Sequence, residues 1–348
     1  MPARKLSISH VGFLLPGNYS DENPVVGLEQ AIDLFREGEQ LGFDSAWVRQ
    51  RHLERGVSSA SVFLAAVTQR TERIQLGTAV IQMGYENPFR LAEDLGTVDV
   101  LSRGRLNVGL SAGPPPYGDL LGARAFDGDW TSHDYSHKRI SRLIENLRGE
   151  PLGEPETFVS NAAGRQRPRV RPHAAGLVDR LWYGAGSLRS SAWAAQTGLN
   201  LMVGNLTSGE ATDDFYQAQA RQIATYRAAW AHERAPRIAA GRVIVPLDSA
   251  DASTRARYAE FAESRYERTL APQGERRTLF CRDLVGSADQ ILERLFADPI
   301  LKDVNELRLE LPYEFAHSEY QQIVGDFIAR IAPEIGWKKP TGLPRAHR

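Results

Sequence analysis

Eight times in succession a short apolar run is followed by an amphipathic stretch, and this rhythm constrains the fold more than any other feature of the chain. The runs fall at 8–16, 45–48, 73–82, 105–113, 180–186, 199–205, 237–246 and 306–313. The first, ISHVGFLLP, is rich in residues suited to a strand covered on both faces. The helical stretches fall at 27–41, 58–71, 87–102, 137–150, 187–198, 213–232, 252–267 and 318–332. Local punctuation agrees with them. Gly42 ends the first helix, Ser58 or Ser59 is a natural N-cap for the second, and Pro88 stands in the first turn of the third, where a missing N–H costs nothing. Eight such alternations predict a closed (β/α)8 TIM barrel, α/β in class, rather than an open doubly wound sheet. Two pieces fall outside the repeat. Residues 151–179, rich in Pro, Gly and Arg, and 270–299, with an extra helix near 287–296, are expected to be insertions in a single domain spanning 1–348.

Charge and cysteine content remove several classes of function. Lys plus Arg number 42 against 43 for Asp plus Glu, so no basic stripe calls for nucleic acid. The arginines clustered in 161–173 are interleaved with Pro and Gly and contain no aromatic residue, which predicts a solvated loop. The single Cys281 forms no intrachain disulfide and no cysteine zinc site. No run approaches the roughly 18 apolar residues of a membrane span, and the N-terminal segment is not built like a signal peptide. A cytoplasmic protein with no membrane partner is the expectation. His133 and His137 are four apart, a spacing that suits metal binding on a helix, but no third ligand accompanies them and no metal is expected. No Walker loop and no G-x-G-x-x-G after a first strand is present.

In a barrel of this kind the chemistry sits at the C-terminal ends of the strands. Three segments near those ends, LGFDSAWVRQRHL (41–53), the long block from 73 to 113, and RLWYGAGSLRSSAWAAQTGLNLMVG (180–204), resemble the bacterial luciferase-like flavin-dependent monooxygenases. DLVGSADQILERL (283–295) is similar to a late helix of the same family. The resemblance covers about residues 6–336 in order. It implies a TIM barrel that binds FMN without a covalent bond, with reduced flavin supplied by a separate flavin reductase and with O2 as co-substrate. Some relatives use a deazaflavin coenzyme and transfer hydride instead. Relatives of this kind are dimers, which implies a homodimer here.

The candidate site follows from these motifs. In GAGS (184–187), Gly184 and Gly186 permit close backbone approach and Ser187 can cap the following helix. The N–H groups of Leu188, Arg189 and Ser190 would then face an anion at the positive end of that helix, with the Arg189 guanidinium adding a charge-assisted contact. The resemblance implies that this anion is the flavin phosphate. It also implies a non-prolyl cis peptide at Ala79–Val80, lying against the flavin ring. Ser111 begins the loop SAGPPPYGD after the fourth strand; some relatives carry an arginine for the phosphate where this chain has Ala112, and Tyr117 is a candidate pocket aromatic. Where the family shows Glu-His-His, this chain has Gln50, Arg51 and His52. Arginine stays charged and accepts no proton, so Arg51 can stabilise an anion, while His52, with an ordinary pKa of about 6.5, remains a candidate acid or base. In ELRLELPY, Arg308 and Glu310 share a face, and an inward charged pair of this kind reads as a structural salt bridge below the rim.

The leading expectation is a reduced-FMN monooxygenase acting with O2 on a small organic substrate. A deazaflavin-dependent reductase or dehydrogenase on the same barrel is the second. A flavin-binding protein without catalysis, suggested by the altered Gln50–Arg51 pair, is the third.

Overall fold

In the computed structural model, which describes residues 6–313 and 315–340, eight parallel strands close into a barrel. They are β1 (His10–Leu15), β2 (Ser45–Val48), β3 (Gln75–Gln82), β4 (Leu106–Ser111), β5 (Leu181–Gly184), β6 (Asn200–Val203), β7 (Ile238–Arg242) and β8 (Glu306–Glu310). Each pairs with its sequence neighbour, and β1 closes the ring by pairing with both β2 and β8. The predicted TIM barrel is the observed fold.

Two tryptophans fill the barrel interior, and glycines make room for them. Trp47 and Trp182 meet edge to face at 5.7 Å and 90°. A Cβ on Gly77 would lie 2.1 Å from the Trp47 ring, so only glycine fits there. The indole N–H groups are satisfied by Ser45 Oγ at 2.9 Å and Asn107 Oδ1 at 3.0 Å. The Arg308 guanidinium lies 3.8 Å over the Trp47 ring, and burial pushes it down to about 10. The expected Arg308–Glu310 salt bridge is absent: Glu310 instead accepts from Arg49 at 3.0 Å. Both charges do point inward, but they sit at different heights along β8 and find different partners.

The helix layer begins with α1 (Pro24–Leu41), a turn earlier than the sequence periodicity suggests, because Asn23 caps Val26 N–H and Pro24 occupies the first turn. α2 (Ala60–Thr68) is preceded by Ser59, whose hydroxyl makes no capping bond. Gln50 Oε1 accepts the Ala60 N–H at 3.1 Å in its place. Next come α3 (Pro88–Leu101), α4 (Lys138–Arg148), α5 (Leu188–Thr197) and α6 (Phe215–Ala229).

After β7 the chain departs from the simple repeat. The run expected as one strand at 237–246 breaks at Val243, and Ile244–Pro246 pairs with Leu284–Gly286 in a separate two-stranded sheet. The helix expected to cover β7 is α7 (Ala252–Ser264), yet only Tyr258 of it is buried. α8 (Ala288–Ala297), expected as an insertion, buries Ala288, Ile291 and Leu295 and starts with a Ser287–Gln290 capping box. The core-facing stripe of α8 makes it the covering helix, and α7 is the peripheral one. α9 (His317–Asp326) follows β8 and runs on into a π turn, Phe327–Ile331. The segment 151–179 is an excursion between α4 and β5, but its arginine cluster is not a plain loop: Val159–Asn161 and Gly164–Gln166 form an exposed hairpin on which Arg165 stacks over Phe158. Among the described residues no helix is long and apolar enough to cross a membrane. Glu314, part of the expected rim after β8, lies outside the described residues.

Candidate functional site

The C-terminal ends of β4 and β5 border an open cavity of about 470 Å³. Ser111 and, more than 70 positions on, Gly184, Gly186, Ser187 and Arg189 all line it, so two distant loops meet at one hollow. Among the described residues no carboxylate lines the cavity, and Arg189 is the one full cation that does. At Gly186 an added Cβ would meet nothing within 4 Å, which leaves backbone open for close approach.

The peptide between Ala79 and Val80 is cis. Val80 Cγ1 lies 3.2 Å from the place a Cβ would occupy on Gly184, so the end of β3 adjoins the wall of the cavity. Ala79 and Val80 rest on the interior cluster of Leu14, Trp47, Trp182, Met202 and Ala239. Packing beneath them therefore fixes this short apolar shelf beside the polar hollow.

The start of α5 differs from expectation in one respect. Ser187 Oγ accepts the Ser190 N–H at 3.0 Å and Ser190 Oγ accepts the Ser187 N–H at 3.0 Å, a reciprocal cap that uses the Ser190 donor internally. The Leu188 N–H donates to Glu210 Oε2 at 2.9 Å. Of the three amides expected to face an anion, only that of Arg189 has no such partner among the described residues. A carboxylate standing on the Leu188 N–H shows that this helix end does attract negative charge.

Arg51 and His52 leave the end of β2 in different directions, and neither lines this cavity. Arg51 donates to the Tyr313 hydroxyl at 2.9 Å, at the end of β8. Its Nε is buried without a hydrogen bond, 4.0 Å from Glu54. Burial opposes its charge, but the Tyr313 bond and surrounding charge hold the pKa above the ordinary arginine value. Arg49 also lies over the Tyr313 ring, at 5.3 Å.

His52 stacks on Tyr85 at 4.0 Å. Its Nε2 is 3.1 Å from Gln50 Nε2, whose other hydrogen goes to Glu86 Oε1 at 2.8 Å. The orientation of the Gln50 amide follows from its bond to Ala60, because Oε1 must face that N–H. An amide nitrogen only donates, so His52 Nε2 accepts and the proton of the neutral ring is on Nδ1. Burial lowers the His52 pKa and raises that of Glu86. His52 is thus built as a neutral donor rather than a ready base.

Several residues of the site escaped sequence reasoning. Tyr135, Ser136, His137 and Tyr183 also line the cavity, as does Ser190, whose amide the sequence places there. One available signal was strand alternation, which sends Trp182 into the barrel and Tyr183 to the opposite face. Tyr117, offered as a pocket aromatic, is exposed and in the left-handed region with φ 60°, and it lines neither this cavity nor the barrel. Among the described residues no cluster of His, Cys, Asp or Glu could hold a metal ion.

The fold and the site define an α/β-barrel with a hollow at its strand ends lined by serines, glycines, aromatic rings and Arg189. Residues 9–297 match the model of the luciferase-like monooxygenases, and the chain belongs to that family of oxidoreductases. It is 37% identical over 120 residues to limonene 1,2-monooxygenase of Rhodococcus erythropolis, covering 33% of this chain. It is 34% identical over 111 residues to 4-hydroxyprotoasukamycin monooxygenase of Streptomyces nodosus subsp. asukaensis, covering 31% of this chain. The aligned part spans only 30% of each of those relatives. Among solved structures, monooxygenase RslO1 from Streptomyces bottropensis superposes with a TM-score of 0.68 at 19% identity, over 93% of this chain and 99% of that one. The oxygenating constituent of 3,6-diketocamphane monooxygenase from Pseudomonas putida, solved with FMN, gives 0.66 at 15% identity over 94% and 99%. An F420-dependent secondary alcohol dehydrogenase gives 0.61 at 16% identity, again over 94% and 99%. At these identities the structural likeness speaks for the fold alone.

Proposed function

We propose that the protein is a monooxygenase that uses reduced FMN and O2 on a small organic substrate. The observation that carries this reading is the adjacency of Val80 and Gly184, which sets the apolar shelf at Ala79–Val80 against the carboxylate-free cavity that ends at Arg189. A planar ring joined to a terminal phosphate has this shape and polarity. The residues present fit the group: Ser111, Ser187 and Arg189 offer two hydroxyls, a free backbone N–H and a guanidinium to a phosphate. When bound, reduced flavin would supply the electrons that activate oxygen. The chain's own part is to hold that cofactor, exclude water and place Arg51 and His52 at the mouth. Arg51, permanently charged, would stabilise negative charge as it develops there, and His52 would donate from Nδ1. A separate reductase as the source of reduced flavin, a homodimer and a cytoplasmic setting belong to the same proposal.

The test compares cofactors before it asks for a substrate. Under anaerobic conditions the protein should bind reduced FMN more tightly than a reduced deazaflavin. Mixing the bound form with O2 should then alter the course of flavin reoxidation relative to free reduced FMN. Preference for the deazaflavin would favour a hydride-transferring reductase. FMN binding with reoxidation unchanged from that of the free flavin would favour a binding protein without catalysis.

A further inference from the structure

Ala112 brings no charge to the cavity, and Arg189 is the one full cation that lines it among the described residues. His137 stands opposite. It lines the same hollow at the start of α4, with its ring stacked flat on Trp193 of α5 at 3.9 Å and 6°. Its Nε2 is 3.0 Å from the hydroxyl of Tyr183, which itself accepts the Ala112 N–H at 3.4 Å. Two rings thus fix the imidazole, while Nδ1 has no hydrogen-bond partner among the described residues. A held imidazole with a spare nitrogen, in a hollow without a carboxylate, is a donor waiting for an anion.

We propose that His137 is a phosphate ligand of the cofactor, protonated in the complex, which together with Arg189 supplies the charge that Ala112 does not. This rests on the function proposed above and assigns a residue to its anionic end. The groups facing His137 are Arg189 on α5, Tyr183 on β5 and Tyr135 in the preceding loop, and none of them is a carboxylate. In the protein without cofactor, burial and then the charge of Arg189 hold the His137 pKa below its ordinary value. A bound phosphate works in the opposite direction and draws a proton onto the ring. Binding through His137 should therefore weaken as pH rises and that proton is lost.

The test measures binding, not turnover. Reduced FMN and reduced riboflavin are titrated calorimetrically and anaerobically from about pH 6 to 8 into the wild-type protein and into His137→Gln, with thermal melting to check folding. The wild type should bind FMN more tightly than riboflavin. His137→Gln should lose about tenfold in FMN affinity, keep its riboflavin affinity, and lose the weakening with rising pH. Tyr183→Phe, which removes only the hydroxyl that steadies the ring, should show a smaller loss confined to FMN, and it decides the matter if His137→Gln does not fold. Equal losses for both flavins, or an unchanged pH dependence in His137→Gln, would overturn the assignment of His137 and leave the proposed function standing. A wild type that binds FMN no better than riboflavin would overturn the phosphate seat itself.

Discussion

Glu210 holds the backbone N–H of Leu188 at 2.9 Å and so occupies the positive end of α5 next to the proposed phosphate seat. A negative charge on that helix end is favourable in the absence of another anion and unfavourable beside a bound dianion. Glu210→Gln keeps an acceptor for the amide and removes the charge. Reduced FMN should bind up to about fivefold more tightly to this variant, with the gain shrinking as salt is added. Riboflavin titrated alongside should show no change. Equal effects on the two flavins would place the influence of Glu210 on the ring rather than on the phosphate.

Gln50 offers a second test because it dictates the proton of His52. The amide can only donate to Nε2, and burial holds the His52 pKa below its ordinary value. In Gln50→Glu the neighbour becomes an acceptor of an imidazolium N–H, and the His52 pKa should rise above about 6.5. Glu86, already pushed up by burial, should take a proton in the same variant. Histidine ring resonances followed by NMR across the pH range report both directions. A His52 titration left where it was would mean that the Gln50 contact does not govern the ring.

The barrel was legible because eight strand–helix units each carry the same local pattern, and the cavity was half legible for a related reason. Ser111, Gly184, Gly186, Ser187 and Arg189 stand where strands end, and strand ends can be read from sequence. His137 and Tyr183 were not legible as a pair, since 46 positions separate them and only the packing of α4 against β5 joins them. Glu210 was hidden for the same reason, as its bond to Leu188 spans 22 positions that include all of α5 and β6. The exchange of roles between α7 and α8 shows the limit of periodicity. Both helices carry apolar residues, and the break at Val243, which diverts Ile244–Pro246 into a separate pairing, is set by tertiary contact.

Arg242 makes the strongest prediction about stability. It is fully buried, donating to Asp298 at 2.8 Å and to Gln219 at 2.9 Å. Asp298→Ala removes the counter-charge and leaves the guanidinium stranded, which should cost about 3–5 kcal/mol of unfolding free energy. Chemical denaturation measures it. A loss under about 1 kcal/mol would mean that water or another group reaches Arg242 once Asp298 is gone.

Gly77 tests the interior packing independently. A methyl group there would meet the Trp47 ring at 2.1 Å, and Trp47 is itself held by Ser45 and by Arg308 stacked above it. With nowhere for the ring to retreat, Gly77→Ala should destabilise the barrel by about 1–3 kcal/mol. The shelf at Ala79–Val80 rests on the same tryptophan, so affinity for reduced riboflavin should fall as well. Calorimetric melting and riboflavin titration on one preparation would show whether the two losses travel together.

Arg51 separates binding from chemistry. It reaches the Tyr313 hydroxyl at 2.9 Å across the mouth and does not line the cavity assigned to the phosphate. Its Nε is buried with no hydrogen-bond partner among the described residues, and the side chain as a whole is partly exposed. Arg51→Ala should therefore leave the affinity for reduced FMN within about twofold while slowing the oxygen-dependent step by about 100-fold or more, the usual effect of losing a donor that meets developing charge. Arg51→Lys keeps the charge but not the planar fork, and it should recover only part of the rate. Tyr313→Phe frees the Arg51 side chain from its one hydrogen bond among the described residues without removing it, so its loss should be smaller than that of Arg51→Ala. If Arg51→Ala instead weakened FMN binding and left the rate of the bound form unchanged, Arg51 would belong to the cofactor seat and not to the chemistry at the mouth.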